Sequence, residues 1–465
     1  MSPTSKQPDP QRYLLIWRWH FYAGMLAAPF LIILAVTGML MMLFANISGK
    51  DGERQTVTVQ QTVKPLSQQA QAALDKIDPA QGMVAQYIAP RADNMVAVFR
   101  VNDGDGNATM VAVNPYTATV VDTYPRNQSI YHLLDNIHGD LLIGTAGDFI
   151  MEAAASLTIL LILTGAYLWW HKQRSLKAML LPEMGRKRVF WRSLHAAVGS
   201  WVSVMLLLFC LSGLAWAGIW GGKMIQAWSQ FPAGKWGVEP VPLSSLTHGD
   251  LNGGSTKEIP WVLDLTPLPA SGSTKGSDGI DIDKAPLTLD TVDRFAREIG
   301  FKGRYQLYLP KGETGVWTLN QDSMSYDSPN PTADRTVHID RYSGKILADI
   351  SYDDYNFIGK LMAVGIALHM GTLGWWSIAL NVVFCLSVVL MCVTGMIMWW
   401  KRRPQDAVGL VPPAQGRPLP SWKSATFILL AIALIFPAAA IVIAAIWLLD
   451  KLLVSKIPFL TQRLK

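Results

Sequence analysis

Eight histidines stand in the chain, and four of them recur in matched settings. His20 is followed by Gly24 after four residues and by Gly38 after eighteen; His195 is followed by Gly199 and Gly213 at the same offsets. Eighteen residues are about five turns of α-helix at roughly 3.6 residues per turn, so each histidine shares a helix face with its far glycine. A second pair is His138, six residues before Gly144, and His369, five residues before Gly374. An imidazole can ligate a metal, carry a proton or serve as a hydrogen-bonded packing group. Those near or within apolar runs are candidates for function, because ionisable groups at membrane depth are costly to keep.

The elements that must position them are long and apolar. Half of the 465 residues are hydrophobic and 16% are charged, with mean hydropathy +0.23, which is too apolar for an ordinary soluble chain. Four uncharged runs (19–49, 193–222, 361–400 and 424–449) exceed the roughly 20 residues needed to cross a bilayer, and a fifth, 153–170, is just long enough and opens beside Glu152. The expected fold class is therefore a membrane α-helical bundle of about five transmembrane helices. The first run is too long and too glycine-punctuated for a cleavable signal peptide.

Lysine and arginine set the orientation. Lys172, Arg174, Lys177, Arg186, Lys187, Arg188 and Arg192 follow the second helix, and Lys401, Arg402, Arg403, Arg417 and Lys423 follow the fourth. With Lys6, Arg12 and Arg18 ahead of the first helix, these residues and the N-terminus are expected on the cytoplasmic side. The long segments 46–147 and 221–368 are each net negative and then lie outside. The formal charge of +6 is thus a topology signal and not a nucleic-acid footprint. A fifth helix would carry Lys451, Lys456, Arg463 and Lys465 outward, against the same rule. The three cysteines, Cys210, Cys385 and Cys392, sit in apolar runs and read as packing residues. CxxCH, CxxC, GxGxxG and Walker-type motifs are all absent from the sequence.

The two outer segments repeat one another. In the first, 67–77 has a helical pattern, 83–89, 95–102 and 109–113 have strand patterns, and VNPYTATVVDT closes as strand–turn–strand. In the second, 288–299 is helical, 304–309 and 316–320 are strand-like, and IDRYSGKILAD matches the closing hairpin. The stretch 234–284 is rich in Gly, Pro, Ser and Thr and reads as loop. The second and fourth helices share a register from glycine onward: Gly144, Thr164-Gly165 and Trp169-Trp170 against Gly374, Thr394-Gly395 and Trp399-Trp400. The chain therefore reads as a duplication of helix, outer domain and helix, plus a terminal helix. Each copy begins and ends inside, so the copies are parallel repeats about an axis along the membrane normal.

Such an axis turns four histidines into two opposed pairs, His20 with His195 near the cytoplasmic face and His138 with His369 near the outer face. Two opposed imidazoles are what a haem iron needs for axial ligation, so two non-covalent haems b are expected. Gly24 and Gly199, one turn from their histidines, are expected to leave room for the porphyrin. The other imidazoles read differently: His171 aligns with Lys401 and suits the cytoplasmic surface as a reserve ligand, His132 is structural, and His248 and His338 fall in loop or surface positions. Glu152 is either a packing carboxylate or a neighbour of a proton or propionate path.

On RWHFYAG with Thr37-Gly38, the hairpins VNPYTATVV and IDRYSGKIL, and TGAYLWWHK and TGMIMWWKR, the chain resembles the PepSY-associated transmembrane family over about residues 12–403. These are iron-regulated membrane proteins that include ferric-siderophore reductases. The resemblance implies a bacterial inner-membrane protein with two periplasmic α+β PepSY-like domains and two haems passing electrons outward. It matches His20, His195, His138 and His369 to the family's histidine positions. The expected organisation places membrane helices at 12–45, 148–171, 193–220, 369–400 and 424–449. Outer domains fall at 46–147 and 221–368, and cytoplasmic loops at 172–192 and 401–423. The expected activity is reduction of a periplasmic ferric siderophore by electrons from a cytoplasmic or quinol donor. The alternatives are reduction of another periplasmic acceptor, a non-enzymatic binding or regulatory module, or a chelate permease.

Overall fold

The computed structural model describes residues 10–50, 52–170, 177, 180–185, 187–225, 243–253, 257–404, 409–413, 427, 430–431 and 433–459. His171 and parts of both expected cytoplasmic loops lie outside the described residues. The chain divides into two compact units, one of apolar helices (1–39, 136–225 and 380–465) and one built on a β-sheet (40–135 and 226–379).

Among the described residues, five helices are long and apolar enough to cross a membrane. They include α1 (Pro10–Ile47), which runs for 38 residues, is uncharged after Arg18 and tolerates Pro29 within it. The short helices α2 (Leu66–Ile77) and α3 (Ile130–Asp140) precede α4 (Thr145–Trp170) and α5 (Lys187–Leu214). Later come α6 (Leu289–Glu298), α7 (Phe357–Met370), α8 (Trp375–Arg402) and α9 (Pro437–Leu449). The helical unit buries Ala27, Leu31, Leu157, Val202, Leu206, Phe384 and Val388 together with the three free cysteines. Cysteine acts there as a small hydrophobe, as its sequence setting suggests.

Four boundaries differ from the sequence expectation; α9, the fifth spanning helix, begins at Pro437, where proline starts a new helix, and not at 424. The third helix begins at Lys187, so the last cations of the expected loop 172–192 ride on its first turns. The fourth does not run from 369; a corner at 371–374 separates α7 from α8, with Gly371 and Gly374 at φ +71° and +104°. The second is preceded by a similar corner, where Leu141, Leu142 and Gly144 take positive φ. These corners absorb the one-residue difference in spacing between His138–Gly144 and His369–Gly374. Both histidines consequently sit in the last turn of a short helix, α3 and α7, ahead of the membrane helix itself.

The sheet unit corrects another expectation. The two outer domains are not separate; they share one eight-stranded antiparallel sheet, ordered β10-β9-β8-β7-β1-β2-β3-β4. The first half holds β1 (Met83–Ile88), β2 (Ala97–Asn102), β3 (Ala108–Asn114) and β4 (Thr119–Pro125). The second holds β7 (Gln306–Tyr308), β8 (Val316–Gln321), β9 (Arg335–Asp340) and β10 (Ile346–Ser351), while β5 (Leu243–Thr247) and β6 (Pro267–Pro269) form a separate pair. The halves meet where Tyr87 pairs with Leu307, so two strand edges that would otherwise invite aggregation are closed. Alternation puts Tyr87, Phe99, Val111, Leu307, Leu319 and Val337 on one face, against Ala70 and Ala73 of α2 and Val292 and Ala296 of α6.

The opposite face is also buried, and it sets polar residues beside the apolar cluster of Ile88, Val98, Met110 and Ala112. Gln86, Arg100, Gln306, Thr318, Asn320 and His338 are each 4% exposed or less. The stretch 243–284, expected as loop, supplies part of what covers the unit: Ile259, Trp261 and Leu263 are buried, and Glu258 pairs with Arg126 at 2.8 Å. Burial alone would raise the Glu258 carboxyl, but Arg126, Lys50 and Arg100 hold it down to about 2. His248 and His338, expected near the surface, are fully buried and bond to each other, Nε2 to Nε2, at 2.8 Å. His248 Nδ1 faces the Thr266 carbonyl at 2.9 Å and so carries a proton. Its Nε2 is then an acceptor, His338 Nε2 donates to it, and His338 Nδ1 accepts from the Thr318 hydroxyl at 2.9 Å.

This chain of bonds requires both rings neutral. Burial, and then the charge of His248, holds His338 well below the usual 6.5. A histidine whose folded pKa is depressed contributes stability that is present above the unfolded pKa, about 6.5, and is lost as pH falls below it. Hydrogen exchange of full-length protein is expected to show the 257–268 segment losing protection between pH 7.5 and pH 5, after correction for intrinsic rates. Protection that does not change with pH would count against this reading of the pair.

Candidate paired-histidine site

The helical unit brings His20 of α1 and His195 of α5 together, with ring centroids 6.4 Å apart and ring planes at 85°. Two imidazoles that bind one metal through Nε2, at about 2.0–2.1 Å each, have centroids roughly 6 Å apart. The expected inner pair thus has the separation of two ligands on one ion.

Each ring is held from the side by a threonine of the paired helix. Thr164 Oγ1 of α4 lies 3.0 Å from His20 Nδ1 and donates to the Leu160 carbonyl at 2.7 Å. Thr394 Oγ1 of α8 lies 3.0 Å from His195 Nδ1 and donates to the Met391 carbonyl at 2.9 Å. That carbonyl also lies 3.0 Å from His195 Nδ1. A hydroxyl has one proton, and a carbonyl oxygen can only accept. With the threonine proton given to the helix carbonyl, Oγ1 can only accept from Nδ1–H, which leaves Nε2 of a neutral ring with its lone pair to accept a hydrogen bond or to ligate a metal. The same clamp acts on Nδ1 of His138: Thr37 Oγ1 of α1 lies 2.9 Å from it and donates to Ile33 O at 2.7 Å.

The glycine after each threonine makes room for the ring. A Cβ at Gly38 would stand 3.1 Å from His138 Cε1, one at Gly165 3.2 Å from His20 Cε1, and one at Gly395 3.5 Å from His195 Cε1. The first two contacts are tighter than an ordinary Cβ contact, so Gly38 and Gly165 are the glycines the rings need, while the third is ordinary packing. Gly24 and Gly199, singled out in the sequence, would meet only Leu161 Cδ2 and Met391 Sδ, both at an ordinary 3.7 Å. Helix packing does not demand glycine at either place.

The remaining expected residues distribute as follows. His369 lies in the sheet unit, partly buried in the last turn of α7. His132 is buried in α3, as a structural role requires. Glu152 is 2% exposed and accepts from the backbone N–H groups of Ile219 (3.0 Å) and Trp220 (3.3 Å), while Asp148 accepts from Gly218 N–H at 3.0 Å. Its role is therefore to satisfy the start of the 218–225 turn after α5.

Among the described residues, no group of three or more His, Cys, Asp or Glu side chains gathers in metal-binding geometry. A naked ion such as zinc wants about four protein ligands. Two opposed imidazoles alone suit an iron whose other four ligands come from a planar macrocycle, so the donor set fits a haem. The family model for the PepSY-associated TM region matches residues 17–402, and the chain belongs to that family. No curated protein matches the chain.

Two alanine variants separate the glycines by thermal unfolding in detergent. Gly165→Ala forces Cβ against His20 Cε1 and is expected to cost about 1–3 kcal/mol, as overpacking does. Gly24→Ala in haem-free protein is expected to be neutral, or to stabilise by up to ~1 kcal/mol through helix propensity. Equal effects at the two sites would mean that the ring does not depend on Gly165.

Proposed function

We propose that this protein is a dihaem b electron carrier of the bacterial inner membrane that reduces a periplasmic ferric chelate. The observation that carries the proposal is the His20–His195 pair, with centroids 6.4 Å apart and no third protein ligand among the described residues. A bound haem iron supplies one-electron chemistry between Fe(III) and Fe(II), at a potential tuned by its ligands and their burial. His20 and His195 would hold the inner haem, and His138 and His369 the outer one. The second assignment rests on the sequence repeat and on the Thr37 bond to His138.

The chain's own residues account for the surroundings. Ala27, Leu31, Leu157 and Leu206 exclude water from the helical unit and keep the site apolar. Gly24 and Gly199 leave backbone open on the helices that bear His20 and His195. Membership of the family supports a multi-pass membrane protein, and the distribution of lysine and arginine favours a cytoplasmic N-terminus. A ferric siderophore is the favoured substrate, because its hard oxygen donors bind Fe(III) far better than Fe(II), so reduction releases the metal without consuming the ligand. The donor would be a cytoplasmic flavoprotein or a quinol.

Pyridine haemochrome assay of purified protein is expected to give about two extractable haems b per chain, since two histidine pairs are present and CxxCH is absent. His20→Ala or His195→Ala should remove one haem, and His138→Ala or His369→Ala the other. Haem that resists acid–acetone extraction, or a value near zero, sinks the proposal. For direction, dithionite-reduced His20→Ala and His138→Ala variants are mixed anaerobically with a ferric siderophore. Fast reoxidation is expected only in His20→Ala, which keeps the outer haem; equal rates in both variants would mean that the outer haem is not the exit site, and the proposed direction would fail.

A further inference from the structure

We propose that Thr164 and Thr394 are positioning residues that hold His20 and His195 in the Nδ1–H form and present Nε2 as the ligand nitrogen. The metal's identity rests on the haem reading above; the tautomer does not. Both hydroxyls are buried, with Thr164 7% and Thr394 0% exposed, on helices that offer few polar groups. In an apolar interior a threonine hydroxyl bonds back to its own helix, and Thr164 and Thr394 do so at 2.7 and 2.9 Å. Having given up its only proton, each oxygen has lone pairs to offer and nothing to donate. A ring turned the other way would set the Nδ1 lone pair against that oxygen, with neither side able to supply a hydrogen.

The consequence is specific to the pair. With Nδ1 protonated on both neutral rings, the Nε2 atoms of His20 and His195 are both acceptors. Two acceptors cannot satisfy each other, so the pair is set to receive a hydrogen-bond donor or a metal between the rings. The clamp also sets the ring planes. His20 is held at Nδ1 by the Thr164 hydroxyl and at Cε1 by the gap at Gly165; His195 is held at Nδ1 by the Thr394 hydroxyl together with the Met391 carbonyl, each at 3.0 Å. The 85° crossing of the planes then follows from where α4 and α8 carry their Thr-Gly dipeptides. Metal-ligating histidines generally need such a partner on the second nitrogen to fix tautomer and orientation. Here a neutral hydroxyl takes the place a carboxylate often fills, which keeps the ligand a neutral imidazole.

The test uses full-length protein in detergent, labelled with 15N-histidine and prepared without haem, its signals assigned through His20→Ala and His195→Ala. Wild-type His20 and His195 are expected to be protonated at Nδ1. In Thr164→Val, which keeps the side-chain volume and loses the acceptor, His20 is expected to become a mixture of tautomers, and Thr164→Ser should restore the single form. Rings protonated at Nε2 in the wild type overturn the proposal. So does a His20 that stays wholly Nδ1–H in Thr164→Val, because a helix carbonyl would then suffice. In haem-loaded protein, transfer of haem to apomyoglobin is expected to quicken about tenfold or more in Thr164→Val and to stay near wild type in Thr164→Ser. A wild type that holds no haem would defeat the haem reading, while the tautomer result would still decide the role of Thr164.

Discussion

In an apolar helix bundle the placement of a single proton decides what a histidine can do. A threonine there has its hydroxyl proton drawn to the carbonyl one turn back, because the bilayer offers no water to take it. What remains is an oxygen that can only accept. Thr37, Thr164 and Thr394 each present that oxygen to an imidazole Nδ1 at 2.9–3.0 Å. The orientation of the ring, the form of the ring and the freedom of Nε2 all follow. The following glycine is part of the same device, since any side chain at Gly38 or Gly165 would strike the ring it serves. The positions of α1, α4, α5 and α8 matter to the site because they bring these dipeptides opposite the histidines.

Much of this was legible in the sequence. The repeated spacing of His20 and His195 pointed to a pair, and Thr164-Gly165 and Thr394-Gly395 stood out as repeat markers near the ends of matched helices. Their purpose was not legible, because it is tertiary: Thr164 meets a histidine 144 residues away. A polar residue followed by glycine, recurring in otherwise apolar helices, was the available signal. Ser212-Gly213 of α5 has the same form, and Ser212 likewise donates to Leu208 O at 2.8 Å. Gly24 and Gly199 are near the histidines along the helix but face ordinary packing across it. Proximity in sequence was a poor guide to which glycine a ring needs.

The sheet unit shows the complementary limit. Strand periodicity located β1 to β4 and β7 to β10 within a few residues, since alternation is a local property. The joining of the two halves through Tyr87 and Leu307 is not local, and a duplicated domain with two open edges gives no hint of which edge its twin will use. The stretch 243–284 failed for a different reason. It has little periodicity to read, yet Ile259, Trp261 and Leu263 are buried, and Glu258 joins the buried polar network through Arg126 and Gln86. Composition identified it as irregular and was silent on whether it was covered.

The two histidine pairs make the argument for a site sharper than either does alone. His248 and His338 are complementary: one Nε2 donates, the other accepts, and the bond between them is 2.8 Å long. Thr318 at one end and Thr266 at the other complete a chain in which every polar hydrogen of the pair has a place. Such a pair is finished, and adding a metal would break it. His20 and His195 are built from the same residue types, a histidine and a threonine on each side, but with both threonines acting as acceptors. Their Nδ1 atoms both donate, so their Nε2 atoms are both acceptors and cannot bond to one another. With centroids 6.4 Å apart, the rings are also too far apart to close on each other as His248 and His338 do at 4.8 Å. The sense of one hydroxyl in each clamp thus separates a structural histidine pair from one that is incomplete without a ligand.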